Sequence, residues 1–109
     1  MDTIGAQDGQ TFAFAVDVDD AGTMIVSLRG ELDLSTLAPI EAKVDPMLAG
    51  TPKRLIVDAS ELRFGDSSAL ALWVRWAASV PEFELRNPSP MLRKVIWAMG
   101  LADALGLRS

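Results

Sequence analysis

The sequence predicts a single α/β domain, a mixed sheet of four to five strands with helices packed mainly on one face. Three observations carry this. A chain of 109 residues suits one hydrophobic core. Half of its residues are hydrophobic and its mean hydropathy is +0.23, so it has material for that core and little of the composition of a disordered chain. Apolar residues recur with period 2 in some segments and near 3.6 in others, in the order β-β-α-β-α-β-α. Strand–helix–strand units close through right-handed crossovers into parallel pairs, which gives a sheet backed by its helices.

Residues 1–10 are small and polar and are expected to fray as a flexible N-terminal segment, leaving residues 11–107 as the domain. Residues 11–18 place Phe12, Phe14, Val16 and Val18 at alternate positions and read as a strand. Asp19-Asp20-Ala21-Gly22 is a turn. Residues 23–29 alternate again with Met24, Val26 and Leu28, so the two strands form an antiparallel hairpin. Gly30-Glu31-Leu32-Asp33 leaves the second strand. In residues 35–49, Leu37, Ile40, Val44, Met47 and Leu48 follow helical spacing, Ser35 or Thr36 can cap, and Gly50 ends the helix. Pro46 removes a helical hydrogen bond and crowds the preceding turn, so a kink or two short pieces are expected.

Residues 53–58 contain Leu55-Ile56-Val57, the apolar run of a central strand covered on both faces. A loop then leads to Asp66 and Ser67, where a second helix starts. It runs to about residue 79, and Pro81 stops it. Leu70, Trp73, Val74 and Ala77 share one face of that helix, with Leu72 and Trp76 to one side. Residues 82–86 make a short strand. Ser89 and Pro90 are suited to the cap and first position of a third helix, with Leu92, Val95, Ile96 and Met99 inward. Trp97 lies roughly opposite, one turn after Arg93, which could stack on it. Gly100 closes this helix, and residues 101–107 add one more helical turn.

Composition removes most chemistry. A net charge of −5 argues against a binder of phosphate backbones and favours protein partners. With no cysteine and no histidine there are no disulfides, thiolate nucleophiles, Cys/His metal sites or His-dependent triads. The acids are scattered without calcium-loop spacing, and Gly65 stands alone rather than in a phosphate loop. No enzyme activity, cofactor or metal is expected. The N-terminus lacks the basic start and apolar core of a signal peptide, and the apolar run 69–74 is too short to span a bilayer. A cytoplasmic protein with no membrane insertion is the expectation.

What remains is the stretch around Asp66, Ser67 and Ser68. Asp and Ser both accept hydrogen bonds from the free N–H groups of a first helical turn, and either is a good cap. Two adjacent hydroxyls at the positive end of a helix also suit a phosphate.

Gly30-Glu31-Leu32-Asp33, Leu55-Ile56-Val57-Asp58-Ala59-Ser60, Phe64-Gly65-Asp66-Ser67-Ser68-Ala69-Leu70, Leu92-Arg93-Lys94-Val95 and Gly100-Leu101 resemble the STAS domain. The bacterial anti-sigma factor antagonists are the most similar group, and the resemblance covers about residues 11–107. It implies a SpoIIAA-like sheet backed by helices. It also implies that Ser67 is phosphorylated by a partner anti-sigma factor that is a kinase. In that family the unphosphorylated protein binds the partner and frees the sigma factor, whereas the phosphorylated protein is released and a phosphatase resets it. Glu31, Asp33, Asp66, Ser68 and Ala69 would then surround Ser67 in a partner surface extended by Leu72 and Trp76. Two features depart from the pattern: Ala69 replaces the usual glycine, and the link between the second helix and the following strand is very short. Ala69 resembles a second STAS group, the cytoplasmic regulatory subunits of lipid-transport ABC complexes. Those bind a permease and an ATPase and need no phosphoryl switch. A regulatory domain of an anion transporter is a less expected third group.

Overall fold

In a computed structural model, which describes residues 2–4 and 12–107, the strands lie side by side in chain order. They are β1 (Asp2–Ile4), β2 (Phe12–Val18), β3 (Thr23–Leu32), β4 (Arg54–Gly65) and β5 (Glu82–Arg86). The pairs β1/β2 and β2/β3 are antiparallel, and β3/β4 and β4/β5 are parallel. The crossovers are α1 (Leu37–Leu48) and α2 (Ser67–Ala77); α3 (Pro90–Ala98) follows β5. The mixed sheet is the expected one, and Leu55–Val57 lies inside it between β3 and β5.

Alternation in the strands decides which face holds the core. Phe12, Phe14, Val16, Met24, Val26, Leu28, Leu55, Val57 and Leu85 are buried in one cluster with the inner residues of all three helices. Those helical residues include Ile40, Val44 and Leu48 of α1, Leu70, Trp73 and Trp76 of α2, and Leu92 and Ile96 of α3. Among the described residues no helix contributes to the opposite face. On it Ile56 is buried in register with Glu84, which binds Arg54 at 2.7 Å and Arg86 at 3.1 Å. The strand expected to be apolar on both sides is thus flanked on one side by ion-paired side chains beside its buried Ile56.

Several elements differ from the sequence reading. Residues 2–4, expected to fray, pair with β2 in the register Asp2↔Val16; the rest of that N-terminal segment lies outside the described residues. Helix α1 runs through Pro46 as one helix. Proline here falls in the last turn, so the bond it lacks and its crowding of the preceding turn affect only the end of the helix. Strand β4 continues to Gly65 through what was read as a loop. Two one-residue slips against β3, between Ser27 and Arg29 and between Gly30 and Glu31, each place an extra residue in β4. Such bulges break the period that marks a strand, and Gly30 takes a positive φ of 92° at the second. In α3, Val95 and Met99 are exposed rather than inward. Residues 101–107 form hydrogen-bonded turns, with the Leu105 N–H donating to the Leu101 carbonyl, and bury Ala102, Leu105 and Leu107.

The two core tryptophans of α2 make a testable contrast. Trp76 Nε1 donates to Asp45 Oδ1 of α1 at 3.0 Å, whereas Trp73 Nε1 is buried with no hydrogen-bond partner among the described residues. Replacement by phenylalanine removes a similar volume at each site. It removes a made bond at Trp76 and an unsatisfied donor at Trp73. Trp76→Phe is therefore expected to cost about 1–2 kcal/mol more than Trp73→Phe in urea unfolding, the difference being the hydrogen-bond term. Equal losses would contradict this pairing.

Candidate partner-binding site

Strands β3 and β4 run parallel and finish together, with Leu32 opposite Gly65. The Asp66 N–H donates to the Leu32 carbonyl at 3.2 Å. The chain following β3 and the start of α2 therefore share one end of the sheet.

The turn at residues 33–36 is braced by its own side chains. Asp33 Oδ1 accepts from the Ser35 N–H at 2.9 Å and the Ser35 hydroxyl at 2.6 Å. Thr36 Oγ1 accepts from the Asp33 N–H at 3.0 Å and donates to the Glu31 carbonyl at 3.1 Å. The Ser35 hydroxyl bond is the chief reason that the Asp33 carboxyl sits below the usual carboxylate range. Asp33 is thus a fixed negative charge at neutral pH. Glu31 approaches Arg63 at 3.7 Å.

Asp66 is the N-cap of α2, which settles the choice between Asp66 and Ser67. Its Oδ1 accepts from the Ser68 and Ala69 N–H groups at 2.9 and 3.2 Å, and its Oδ2 accepts from the Leu34 N–H at 3.4 Å. Ser67 is the first helical residue and is exposed; Ser68 is half-buried. The first-turn donors at Ser68 and Ala69, expected to welcome a phosphate, are already bonded to the Asp66 carboxylate.

Ser67, Ser68, Asp66, Asp33 and Glu31 lie on segments that share this end of the sheet, with Asp66 bonded to the turn after β3 and Glu31 turned to Arg63. The structure does not bring Ala69, Leu72 or Trp76 to the surface. Ala69 and Trp76 are fully buried and Leu72 is 3 % exposed. The reason is that α2 packs against the sheet on one side and α1 on another. Arg75 bonds Glu41 and Asp45 of α1 beside the Trp76–Asp45 contact. Ala69 faces inward, where a Cβ on Gly65 would lie 3.6 Å from its methyl group, so the missing family glycine is filled in the interior.

Two apolar residues of this end were missed. Leu34 is 76 % exposed in the turn after β3, and Phe64 is 51 % exposed at the end of β4, in register with Glu31. Leu34 belongs to no periodic segment, and Phe64 fell in a stretch read as loop. The usable signal was the isolation of a large apolar residue between polar neighbours, Asp33 and Ser35 or Arg63 and Gly65. Among the described residues no group of acidic side chains is arranged to hold a metal ion, and no helix is long and apolar enough to cross a membrane.

Residues 15–108 match the family model described as "Mlab, STAS domain". The chain belongs to the STAS domain family. It is similar to the anti-sigma-F factor antagonist RsfB of Mycobacterium tuberculosis, with 28 % identity over 94 residues, 84 % of this chain and 77 % of that protein. Among solved structures it is similar to an anti-sigma factor antagonist from Mycobacterium paratuberculosis, with TM-score 0.80, 25 % identity and coverage of 95 % of this chain and 89 % of that one. It is also similar to the anti-sigma factor antagonist SpoIIAA. The unphosphorylated form has TM-score 0.75 and 27 % identity, covering 88 % of both chains. The phosphorylated form, from Bacillus, has TM-score 0.69 and 28 % identity, covering 88 % of this chain and 91 % of that one.

Proposed function

We propose that this chain is an anti-sigma factor antagonist that works by partner switching. It binds an anti-sigma factor that is also a serine kinase, and transfer of the γ-phosphoryl group of ATP to the Ser67 oxygen releases it. The hydroxyl proton is lost, ADP leaves, and a serine phosphatase reverses the modification. On this reading the chain acts in the cytoplasm as a regulator rather than an enzyme.

The observation that carries the proposal is an exposed Ser67 at the first position of α2, on the same end of the sheet as Asp33 and Glu31. Its relatives RsfB and SpoIIAA, the second solved in both phosphorylation states, support it. A phosphate adds nearly two negative charges at a contact surface. Asp66 already holds the Ser68 and Ala69 N–H groups, so the phosphate meets a competing carboxylate there and its added charge weighs on docking.

The test is to capture the partner from lysate, incubate it with this protein and ATP, and map phosphate by mass spectrometry. Modification of Ser67 is expected, with Ser68 untouched. Phosphate on Ser68 alone would move the assignment by one residue. A second reading, a cytoplasmic regulatory subunit of a lipid-transport ABC complex, is favoured by Ala69 in place of the glycine usual in the antagonists. A permease or ATPase in the captured complex, with no phosphate on either serine, would select it.

A further inference from the structure

Asp66 serves two segments at once. One carboxylate oxygen holds the first turn of α2 through Ser68 and Ala69; the other accepts from the backbone of Leu34. Leu34 heads a turn stiffened by the Asp33, Ser35 and Thr36 bonds, and it is the most exposed of the large apolar side chains described. Phe64, in register with Glu31, is a second exposed apolar side chain at this end of the sheet, which also carries the carboxylates of Glu31, Asp33 and Asp66. That chemistry fits an apolar pocket with a basic rim on the anti-sigma factor.

We propose that Asp66 is a positioning residue that ties the Leu34 turn to the state of Ser67, so that phosphorylation moves an apolar docking residue as well as adding charge. The inference rests on the partner-switching reading and adds a relay to it. A phosphate on Ser67 is attached one residue from Asp66 and seeks the same first-turn N–H groups. The two anions compete for the Ser68 and Ala69 donors and repel one another. Of the three bonds to Asp66, the one from Leu34 is the longest at 3.4 Å. Hydrogen bonds weaken steeply with poor geometry, so this one breaks first when the carboxylate turns. The Leu34 turn is then held by its internal bonds but no longer to α2.

The experiment uses the full chain, labelled with nitrogen-15, with phosphoserine installed at position 67 during translation so that no kinase is needed. The Ser68, Ala69 and Leu34 amide resonances should shift together, Leu34 toward its solvent-bonded position. Asp66→Asn supplies the second measurement. Asparagine also caps helices well, so the fold should survive. It keeps an oxygen for α2 but presents an N–H donor where Leu34 needs an acceptor, and should reproduce the Leu34 shift with Ser67 unmodified. Leu34 unmoved in the phosphorylated protein while Ser68 and Ala69 shift would overturn the relay. So would Leu34 unmoved in Asp66→Asn. Either result leaves partner switching standing, whereas failure of any kinase to modify Ser67 would remove that reading and leave the resonance shifts still readable.

Discussion

Gly106→Ala should lower stability by about 3 kcal/mol, combining a strained left-handed residue with a steric overlap. Gly106 has φ +68°, and a Cβ there would lie 2.8 Å from the Phe83 carbonyl oxygen. That oxygen is backbone of β5 and cannot swing away. The same turn buries Leu105 and Leu107 against the core, so pushing it off β5 also uncovers apolar surface. Gly100→Ala is the internal control. Its φ is +73°, but no atom lies within 4 Å of the added carbon, so only the conformational cost of about 1 kcal/mol applies. Urea unfolding should separate the two variants by about 2 kcal/mol, the overpacking cost. Equal midpoints would show that the C-terminal turn does not dock on β5 as described.

Gly106 also shows where sequence reading stops. Gly100 was legible because it follows an apolar-periodic helix, whereas the need for glycine at position 106 comes from a strand twenty residues earlier. The order of strands and helices was legible for the same reason Gly100 was: each element carries its own period. Strand β1 was not, since Asp2-Thr3-Ile4 is too short to show alternation and exists through its pairing with β2. The far half of β4 was hidden because its two extra residues break register with the very pattern that would announce it.

The candidate site divides along the same line. The N-cap role of Asp66 was legible because capping is local, its Oδ1 bonds reaching two and three residues on, whereas its bond from Leu34 spans 32 residues and was not. Leu72 and Trp76 were misplaced because a helical wheel assigns one buried face, while α2 is covered by both the sheet and α1. Asp45 and Glu41 sit some thirty residues away from the side chains they meet. The reverse holds at α3, where Val95 and the C-cap residue Met99, expected inward, are exposed, while Trp97 is exposed as its place opposite that face implies.

Charge placed on Ser67 should decide binding. Ser67→Asp is expected to bind the anti-sigma factor at least about tenfold more weakly, the scale of a like charge set against an interface. Its urea midpoint should be unchanged, because the side chain is exposed and an acid suits the first turn of a helix. Ser67→Ala should bind as the unmodified protein does and fail to be released by kinase and ATP. Asp33→Lys should weaken binding by a similar factor, since it reverses a charge of the same surface and removes the acceptor of both Ser35 bonds. Leu72→Ala separates interface from scaffold. Leu72 is 3 % exposed, so its truncation should lower the urea midpoint while the folded fraction binds with unchanged affinity. The affinities come from titration calorimetry with the purified anti-sigma factor. Should Leu72→Ala weaken binding of the folded fraction while Ser67→Asp does not, the docking surface would lie along α2 and not at the end of the sheet where Asp33, Asp66 and Ser67 meet.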